Sequence, residues 1–223
     1  PHYIRLADSF LHGQTALRDP AGLYDLIITP DGSAYVAGSP LPAILLMPIV
    51  WLTNVEFSDV LFSIVIGALT VAVVQHAFRL PWLTLLFAFG TPQLQFAALG
   101  SVWFQAHQVA LLFGVPALAA GWRRQQWGRA GFWLALVALA PPTLLFGSIG
   151  LVALMVRAWW DAARPVEGGR RPLRPLVTAG ARFALPVVAC IVAHGAYNAA
   201  RFGDPAEFGY GYVVGSPAIT AAY

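Results

Sequence analysis

Long apolar stretches alternate with short polar segments along most of the chain, and several are as long as membrane-spanning helices. A helix needs about 20 apolar residues to cross a hydrocarbon core of ~30 Å. Residues 58–78, 102–121 and 176–198 meet that length. The third stretch contains Pro186, which a membrane helix tolerates when neighbouring groups satisfy the freed backbone carbonyl. These three stretches therefore predict helices that cross a bilayer.

Two further apolar stretches are irregular. Residues 81–99 are interrupted near their end by Pro92, Gln93 and Gln95, which predicts a span with an irregular outer end. Residues 130–156 contain Pro141-Pro142 near their middle. This second stretch is either one long broken helix or a hairpin of two short helices.

The arginines favour the hairpin, because cytoplasmic loops of membrane proteins collect Arg and Lys. All 13 basic residues are Arg, and one cluster lies on each side of residues 130–156. A single crossing would leave one cluster outside, whereas a hairpin places both inside. Ten of the 13 Arg then lie inside and eight of the ten acids outside. The two clusters are Arg123, Arg124 and Arg129 before the stretch, and Arg157, Arg164, Arg170, Arg171 and Arg174 after it.

The same orientation places residues 1–57 outside, although they include an apolar block that looks like the start of a span. Residues 40–54 would form only ~22 Å of helix. Pro40 and Pro42 suit the first turn of a helix. If the block crossed the membrane, every later loop would invert and the Arg clusters would lie outside. We therefore expect a helix at, or dipping into, the outer membrane face; a short tilted span is the alternative.

Composition agrees with an integral membrane protein. Hydrophobic residues make up 58% of the chain, charged residues 10%, and the mean hydropathy is +0.67. Soluble domains carry about 25% charged residues. The predicted fold is all-α, a multi-pass helix bundle with juxtamembrane helices on its outer face. Membrane topology accounts for the Arg distribution, so the net charge of +3 does not indicate nucleic-acid binding.

Three parts follow from this topology: an extracytoplasmic loop over residues 1–57, a helix bundle over 58–198 and an extracytoplasmic segment over 199–223. Within the first part, the apolar residues of YIRLADSFL have roughly helical spacing, which predicts a short amphipathic helix at the membrane interface. TPDGSAY predicts a tight turn. Three polar segments would meet at the outer face: residues 1–39, 99–104 and 199–223.

Two segments of the first part resemble the outer loop of the GT-C glycosyltransferases, which include the lipid A aminoarabinose transferases and the protein O-mannosyltransferases. That loop reads D-E-x-x-Y-x-x-I-A and later N-G-x-x-Y-x-x-x-P-P-L. The segments here are PHYIRLADSF and DGSAYVAGSPLPAILL, with matches at Tyr3, Leu6, Ala7, Gly32, Tyr35, Pro40 and Pro42. The later order of parts is similar too: an acidic outer turn, an inward span ending in Arg, a proline-broken helix pair and YNAARFGDPAEFGYGY.

The resemblance implies an enzyme that moves a hexose or pentose from a polyprenyl-phosphate carrier to a hydroxyl of a lipid, glycan or protein acceptor. It implies a multi-pass protein of the bacterial inner membrane with its active side extracytoplasmic. The family's acidic general base would align before Pro1, so we expect the chain to be a piece of a longer enzyme. Asp8 is the nearest acid present; its alternative role is a solvated partner of Arg5 or His12. Where some members carry a phosphate-binding Lys, this chain has Gly38.

Two arginines are candidate ligands for the carrier phosphate. A guanidinium at the outer interface can hold a lipid phosphate through two hydrogen bonds. Arg201 follows the last span on the outer side, and its alternative role is a salt bridge with Asp204 or Glu207. Arg5 is the second candidate, with interfacial snorkelling as the alternative.

Three further residues are candidate carrier or sugar ligands. His107 is ionisable inside a predicted span and lies beside Gln105 and Gln108, which predicts a polar pocket. The alternative is an interhelical hydrogen bond. Tyr3 and Tyr35 could stack on a sugar, although aromatic residues are expected at the outer interface anyway.

The spacing of the remaining histidines does not indicate a metal site, and we expect no metal cofactor. His2 and His12 have no partner at metal-ligand spacing, and a divalent metal site would need ligands from several loops. His194 and Asn198 are four residues apart on one helix face, which favours packing or hydrogen bonding.

Two other function classes stay open from the sequence alone. A lipid or solute transporter would predict ionisable residues near the middle of the bilayer and repeated halves. Apart from His107, neither is evident. A membrane assembly protein would use the long outer loop to bind a partner. In every case membrane lipids are the expected surroundings and nucleic acid is not an expected partner.

Overall fold

The computed structural model describes residues 2–140, 145–162, 172–209 and 212–214. This part of the chain is mostly helical, as predicted, with a small sheet beside the helices. The helices are α1 (His2–Leu11), α2 (Leu41–Thr53), α3 (Asp59–Phe78), α4 (Pro81–Phe89), α5 (Gln93–Leu99), α6 (Val102–Trp122), α7 (Trp127–Ala138), α8 (Gly147–Ala162) and α9 (Arg174–Phe202). A 3-10 turn, Asn54–Glu56, follows α2, and the strands are β1 (Leu26–Ile28), β2 (Ala34–Val36) and β3 (Val213–Val214).

Among the described residues, three helices are long and apolar enough to cross a membrane: α3, α6 and α9. They correspond to the three spans predicted from apolar length. Ser58 caps α3 by accepting a hydrogen bond from the amide of Leu61 at 3.3 Å. Helix α9 is longer than predicted, with 29 residues, and it continues through Pro186. Only 6% of its most apolar window is buried, which leaves a broad apolar surface suited to lipid.

Residues 81–99, predicted as a span with an irregular outer end, form two short helices that meet at the predicted interruption. Helix α4 has nine residues and α5 has seven, and the chain bends between them at Gly90–Pro92. Pro92 cannot donate a backbone hydrogen bond and disfavours helical geometry in the residue before it. Neither piece is long enough to cross alone, and both lie against α3.

Residues 127–162 form two helices rather than one. Trp127 at the start of α7 and Ala162 at the end of α8 line the same groove, so the two helices run in opposite directions. The indole nitrogen of Trp159 donates to the carbonyl of Pro172 at 2.9 Å, which ties the end of α8 to the start of α9. The predicted turn at Pro141-Pro142 lies outside the described residues.

Helices α7 and α9 cross at very short range. A Cβ atom on Gly131 would lie 2.7 Å from the Cα of Phe183, so only glycine fits at this position of α7. Small residues at a helix interface let two backbones approach closely in a membrane. The crossing therefore fixes how α9 lies on the bundle.

A layer of small elements covers one end of the bundle, and we call residues 2–57, 199–209 and 212–214 the cap layer. Helix α1 packs on α2 through its buried apolar side, while the sheet has the order β2-β1-β3 with antiparallel neighbours. Ile27 of β1 pairs with Tyr35 of β2 and with Val213 of β3. The sheet thus joins the first and last parts of the chain, which the sequence pattern did not predict beyond the turn between β1 and β2.

The opposite end of the bundle carries the arginines, and we call it the arginine-rich end. Arg123 donates to the carbonyl of Ala77 at 2.6 Å and so caps the last turn of α3. Other described arginines of this end are Arg79, Arg124, Arg129, Arg157, Arg174 and Arg182, while Arg164, Arg170 and Arg171 lie outside the described residues. The two ends differ chemically in the way that the positive-inside rule requires of a membrane protein.

Candidate functional site

Arg201 is a buried cation at the junction of α9 and the cap layer. Its side chain lies in the last turn of α9, and the residue is only 6% exposed. One terminal nitrogen donates to the carbonyl of Val36 in β2 at 3.3 Å. The other donates to Oδ1 of Asn198 at 2.7 Å, one turn earlier on the same helix. These bonds aim the guanidinium into the cap layer rather than toward water.

Aromatic rings enclose this guanidinium. Its central carbon lies 4.0 Å from the centroid of the Tyr197 ring and 4.5 Å from that of Phe202. Tyr35 packs edge-to-face on Phe202 with 5.5 Å between the ring centroids. A cation over an aromatic face gains about 0.5–2 kcal/mol, more as the pair is desolvated. The rings therefore stabilise the buried charge without neutralising it.

Within the described residues, Arg201 has no carboxylate partner. Asp204 accepts from the backbone amide of Ala206 at 2.8 Å, and Glu207 accepts from the amide of Gly209, so neither forms the alternative salt bridge. The Nε atom of Arg201 is buried and has no hydrogen-bond partner. A buried charge without a counter-ion is costly. The site is thus suited to receive an anion.

Two predicted tyrosines lie beside this arginine. Tyr3 on α1 and Tyr35 on β2 are both buried, and Tyr35 precedes Val36, whose carbonyl accepts a hydrogen bond from Arg201. Gly38 makes room for the Tyr3 ring, because a Cβ atom there would meet the tyrosine hydroxyl at 2.5 Å. The structure therefore brings Tyr3, Tyr35 and Arg201 together from three separate elements.

An apolar groove of about 620 Å³ runs along α9 next to this cluster. Ile191 and Phe208 line it, together with His194, whose Nδ1 lies 3.0 Å from the carbonyl oxygen of Ala138. Asn198 belongs to both places: it lines the groove and accepts the hydrogen bond from Arg201. A mainly apolar groove thus adjoins a buried cation through the shared residue Asn198, and this combination is suited to an anionic head group on an apolar chain.

Asp8 and Arg5 lie away from the Arg201 cluster, on the polar side of α1. Asp8 pairs with Arg18 at 3.0 Å and with His12 at 3.5 Å. Arg5 pairs with Asp19 at 3.0 Å. Both residues are engaged in ion pairs of the cap layer, and the structure does not bring them to the buried guanidinium.

His107 and its two glutamine neighbours have different surroundings on α6, and the predicted polar pocket stays a prediction. Its Nδ1 lies 2.7 Å from the carbonyl of Trp103, and its ring lies 6.5 Å from that of Phe96 on α5. The neighbouring glutamines are fully buried on another face of α6, where Gln105 donates to the carbonyl of Asp59 at 2.9 Å. Helix α6 reaches α5 on this side, whereas Arg201 belongs to α9, which packs on α7 and α8.

Tyr197 and Phe202 are residues of the site that the sequence reasoning missed. The signal for Tyr197 was present, because Tyr197 precedes Arg201 by four residues and such residues face each other on a helix. Asn198 was assigned to packing or hydrogen bonding, and it does bond Arg201.

Among the described residues, no group of three or more His, Cys, Asp or Glu side chains could hold a metal ion. No family model, no curated protein and no solved structure matches the chain.

Proposed function

We propose that the protein acts in an integral membrane glycosyltransferase of the GT-C type. It would transfer a hexose or pentose from a polyprenyl-phosphate carrier to an acceptor hydroxyl at the extracytoplasmic face of the bacterial inner membrane. The observation that carries the proposal is the buried guanidinium of Arg201, which has no carboxylate partner among the described residues and adjoins an apolar groove through Asn198. The sequence resemblance of the outer loop supports the same reading.

Each part of the carrier has a matching surface in this proposal. The polyprenyl chain lies in the groove along α9, where Ile191 and Phe208 offer apolar contacts. Its phosphate moves against Arg201, whose planar guanidinium can form two parallel hydrogen bonds to one phosphate. The sugar then lies at the cap layer, near Tyr3 and Tyr35.

Transfer needs attack of the acceptor oxygen on the anomeric carbon and cleavage of the bond between that carbon and the phosphate oxygen. The leaving polyprenyl phosphate keeps the bonding electron pair, and Arg201 stabilises its growing charge. A general base must take the proton from the acceptor hydroxyl. Asp8 is held by Arg18 on the polar side of α1 and is not assigned that role.

The test is a turnover assay with the full-length protein in membranes. A panel of radiolabelled polyprenyl-phosphate sugars is supplied, and release of polyprenyl phosphate is measured. Arg201→Gln should lower turnover about 100-fold or more, as loss of a transition-state donor does. The turnover of Arg201→Lys should lie between that of the wild type and that of Arg201→Gln, because lysine keeps the charge and loses the paired hydrogen bonds.

Arg18→Gln is the matched control, since Arg18 is an exposed arginine of the same layer and should leave turnover unchanged. Size-exclusion profiles of all variants report folding separately. Wild-type turnover in Arg201→Gln would contradict the role of the guanidinium. Consumption of none of the supplied sugars by the wild type would contradict the proposed function. Movement of the carrier across the membrane without sugar transfer would assign transport instead.

A further inference from the structure

We propose a second anion site at the arginine-rich end: a groove between α7 and α9 that binds the head group of an anionic phospholipid of the inner leaflet. This inference is independent of the proposed function, because it concerns the opposite end of the bundle. It rests on three arginines that converge on one groove, and on an apolar groove that adjoins it.

The first groove has a volume of about 780 Å³ and contains Arg129 of α7 together with Arg174 and Arg182 of α9. No acidic side chain is among its described lining residues. Arg129 donates to the side-chain oxygen of Gln126 at 3.0 Å. In the part of the chain that the structure describes, Arg174 and Arg182 have neither an ion pair nor a side-chain hydrogen bond. The groove therefore concentrates positive charge that its own lining does not neutralise.

Helix geometry places these charges on the same side. Arg174, Thr178 and Arg182 follow one another at intervals of four residues, so they lie along one face of α9. Gly128 brings α7 close to that face, because a Cβ atom there would lie 3.7 Å from the Cβ of Arg182. The start of α9 adds the positive end of the helix dipole.

The adjoining groove supplies a place for an acyl chain. It has a volume of about 410 Å³ and is lined mainly by apolar residues of α8 and α9, among them Met155, Ala158 and Leu176. The two grooves share four lining residues, so they are continuous: Gln125, Trp127, Pro175 and Ala179. A charged groove that passes into an apolar one fits a phospholipid better than it fits a free anion.

General membrane physics supports this occupant. Basic pockets between membrane helices on the cytoplasmic side bind anionic lipid head groups, and each arginine near such a surface contributes measurably to affinity. Guanidinium groups also pair with phosphate oxygens through two hydrogen bonds. A phospholipid, glycerol 1-phosphate and inorganic phosphate could all bring a phosphate to the arginines. Only the phospholipid also has acyl chains that could occupy the adjoining apolar groove.

The test uses the full-length protein purified in detergent, with lipid binding followed by native mass spectrometry. The probes are dioleoyl phosphatidylglycerol, dioleoyl phosphatidylcholine, glycerol 1-phosphate and inorganic phosphate. Wild-type protein should retain phosphatidylglycerol preferentially. The double variant Arg174→Gln, Arg182→Gln should weaken that binding about 30-fold. Arg157→Gln removes an exposed arginine of the same end and should bind as the wild type does.

Three results would overturn the proposal: equal retention of both lipids by the wild type, unchanged phosphatidylglycerol binding in the double variant, or stronger retention of a free phosphate than of the lipid. Loss of two arginines can also change the orientation of the protein in a membrane. Measurement in detergent avoids this effect, because lipid binding is then followed without a membrane. The double variant Arg174→Lys, Arg182→Lys keeps both charges and is the control for misfolding caused by substitution at these positions. It should retain more lipid than the double glutamine variant.

Discussion

The side chain of His2 is buried at the start of α1, and this burial couples the cap layer to pH. Nε2 of His2 donates to the carbonyl of Tyr24 at 2.6 Å, and the two rings pack edge-to-face. Burial lowers the pKa of His2 below its ordinary value of 6.5, although the hydrogen bond to Tyr24 acts in the opposite direction. The folded protein therefore favours the neutral imidazole.

This coupling predicts a loss of stability in mild acid. Between the lowered pKa of folded His2 and 6.5, the unfolded chain binds more protons than the folded chain. The contribution of His2 is thus complete above pH 6.5 and declines as the pH falls toward the folded pKa. Thermal unfolding in detergent at pH 8 and at pH 5 should show a larger drop for the wild type than for His2→Gln. Equal drops in the two proteins would contradict this role.

The sequence showed which single residues were chemically unusual but not how they are buried. Arg201 stood out because a cation on the acidic side of the membrane opposes the general trend. Its missing counter-ion could not be foreseen, since Asp204 was near in sequence and turns instead to the amide of Ala206. The pairing of Asp8 with Arg18 likewise depends on how residues 12–25 fold back over α1, which no local pattern specifies.

At the scale of the elements, the crossing of α7 and α9 depends on one glycine. Gly131→Ala would place a methyl group against the backbone of Phe183, and neither helix can yield without moving the other. Forcing extra volume into a packed interface costs about 1–3 kcal/mol. The midpoint of thermal or denaturant unfolding in detergent should fall accordingly.

Gly150→Ala is the matched control for this prediction. Gly150 lies in α8 and has open space where a Cβ atom would be. Alanine there should leave stability unchanged or raise it by about 0.5–1 kcal/mol, because glycine weakens a helix interior. Similar loss in both variants would indicate a general intolerance of substitution rather than a tight crossing.

Element prediction succeeded where apolar length alone decides the structure. Helices α3, α6 and α9 were predicted because such runs leave few other ways to satisfy the backbone in lipid. Over residues 81–99 the interruption near Pro92 was predicted, but its extent was not: the bend at Gly90–Pro92 divides the stretch into two short helices. The strand pairs of the cap layer were missed because each strand has only two or three residues, too few to give an alternating pattern.

For the whole molecule, the two chemically different ends predict one orientation in the membrane. Cysteine labelling with a membrane-impermeant maleimide on intact cells tests it, in a Cys190→Ala background. Ala21 in the cap layer and Ala162 near the arginine-rich end are both exposed, so they form a matched pair of sites. Ala21→Cys should label on intact cells, while Ala162→Cys should label only after the membrane is made permeable. Labelling of both positions from the same side would contradict the orientation.

The pairing of β1 with β3 also sets an order of events during synthesis. Ile27 is synthesised before its partner Val213, which follows only after α3, α6 and α9 have been made. Until then one edge of β1 stays open, and an unpaired edge is prone to join the wrong strand. The surroundings of Arg201 are completed at the same late moment, since β2 and α9 supply its contacts. The surroundings of Arg201 are therefore completed only after α3, α6 and α9 have been made.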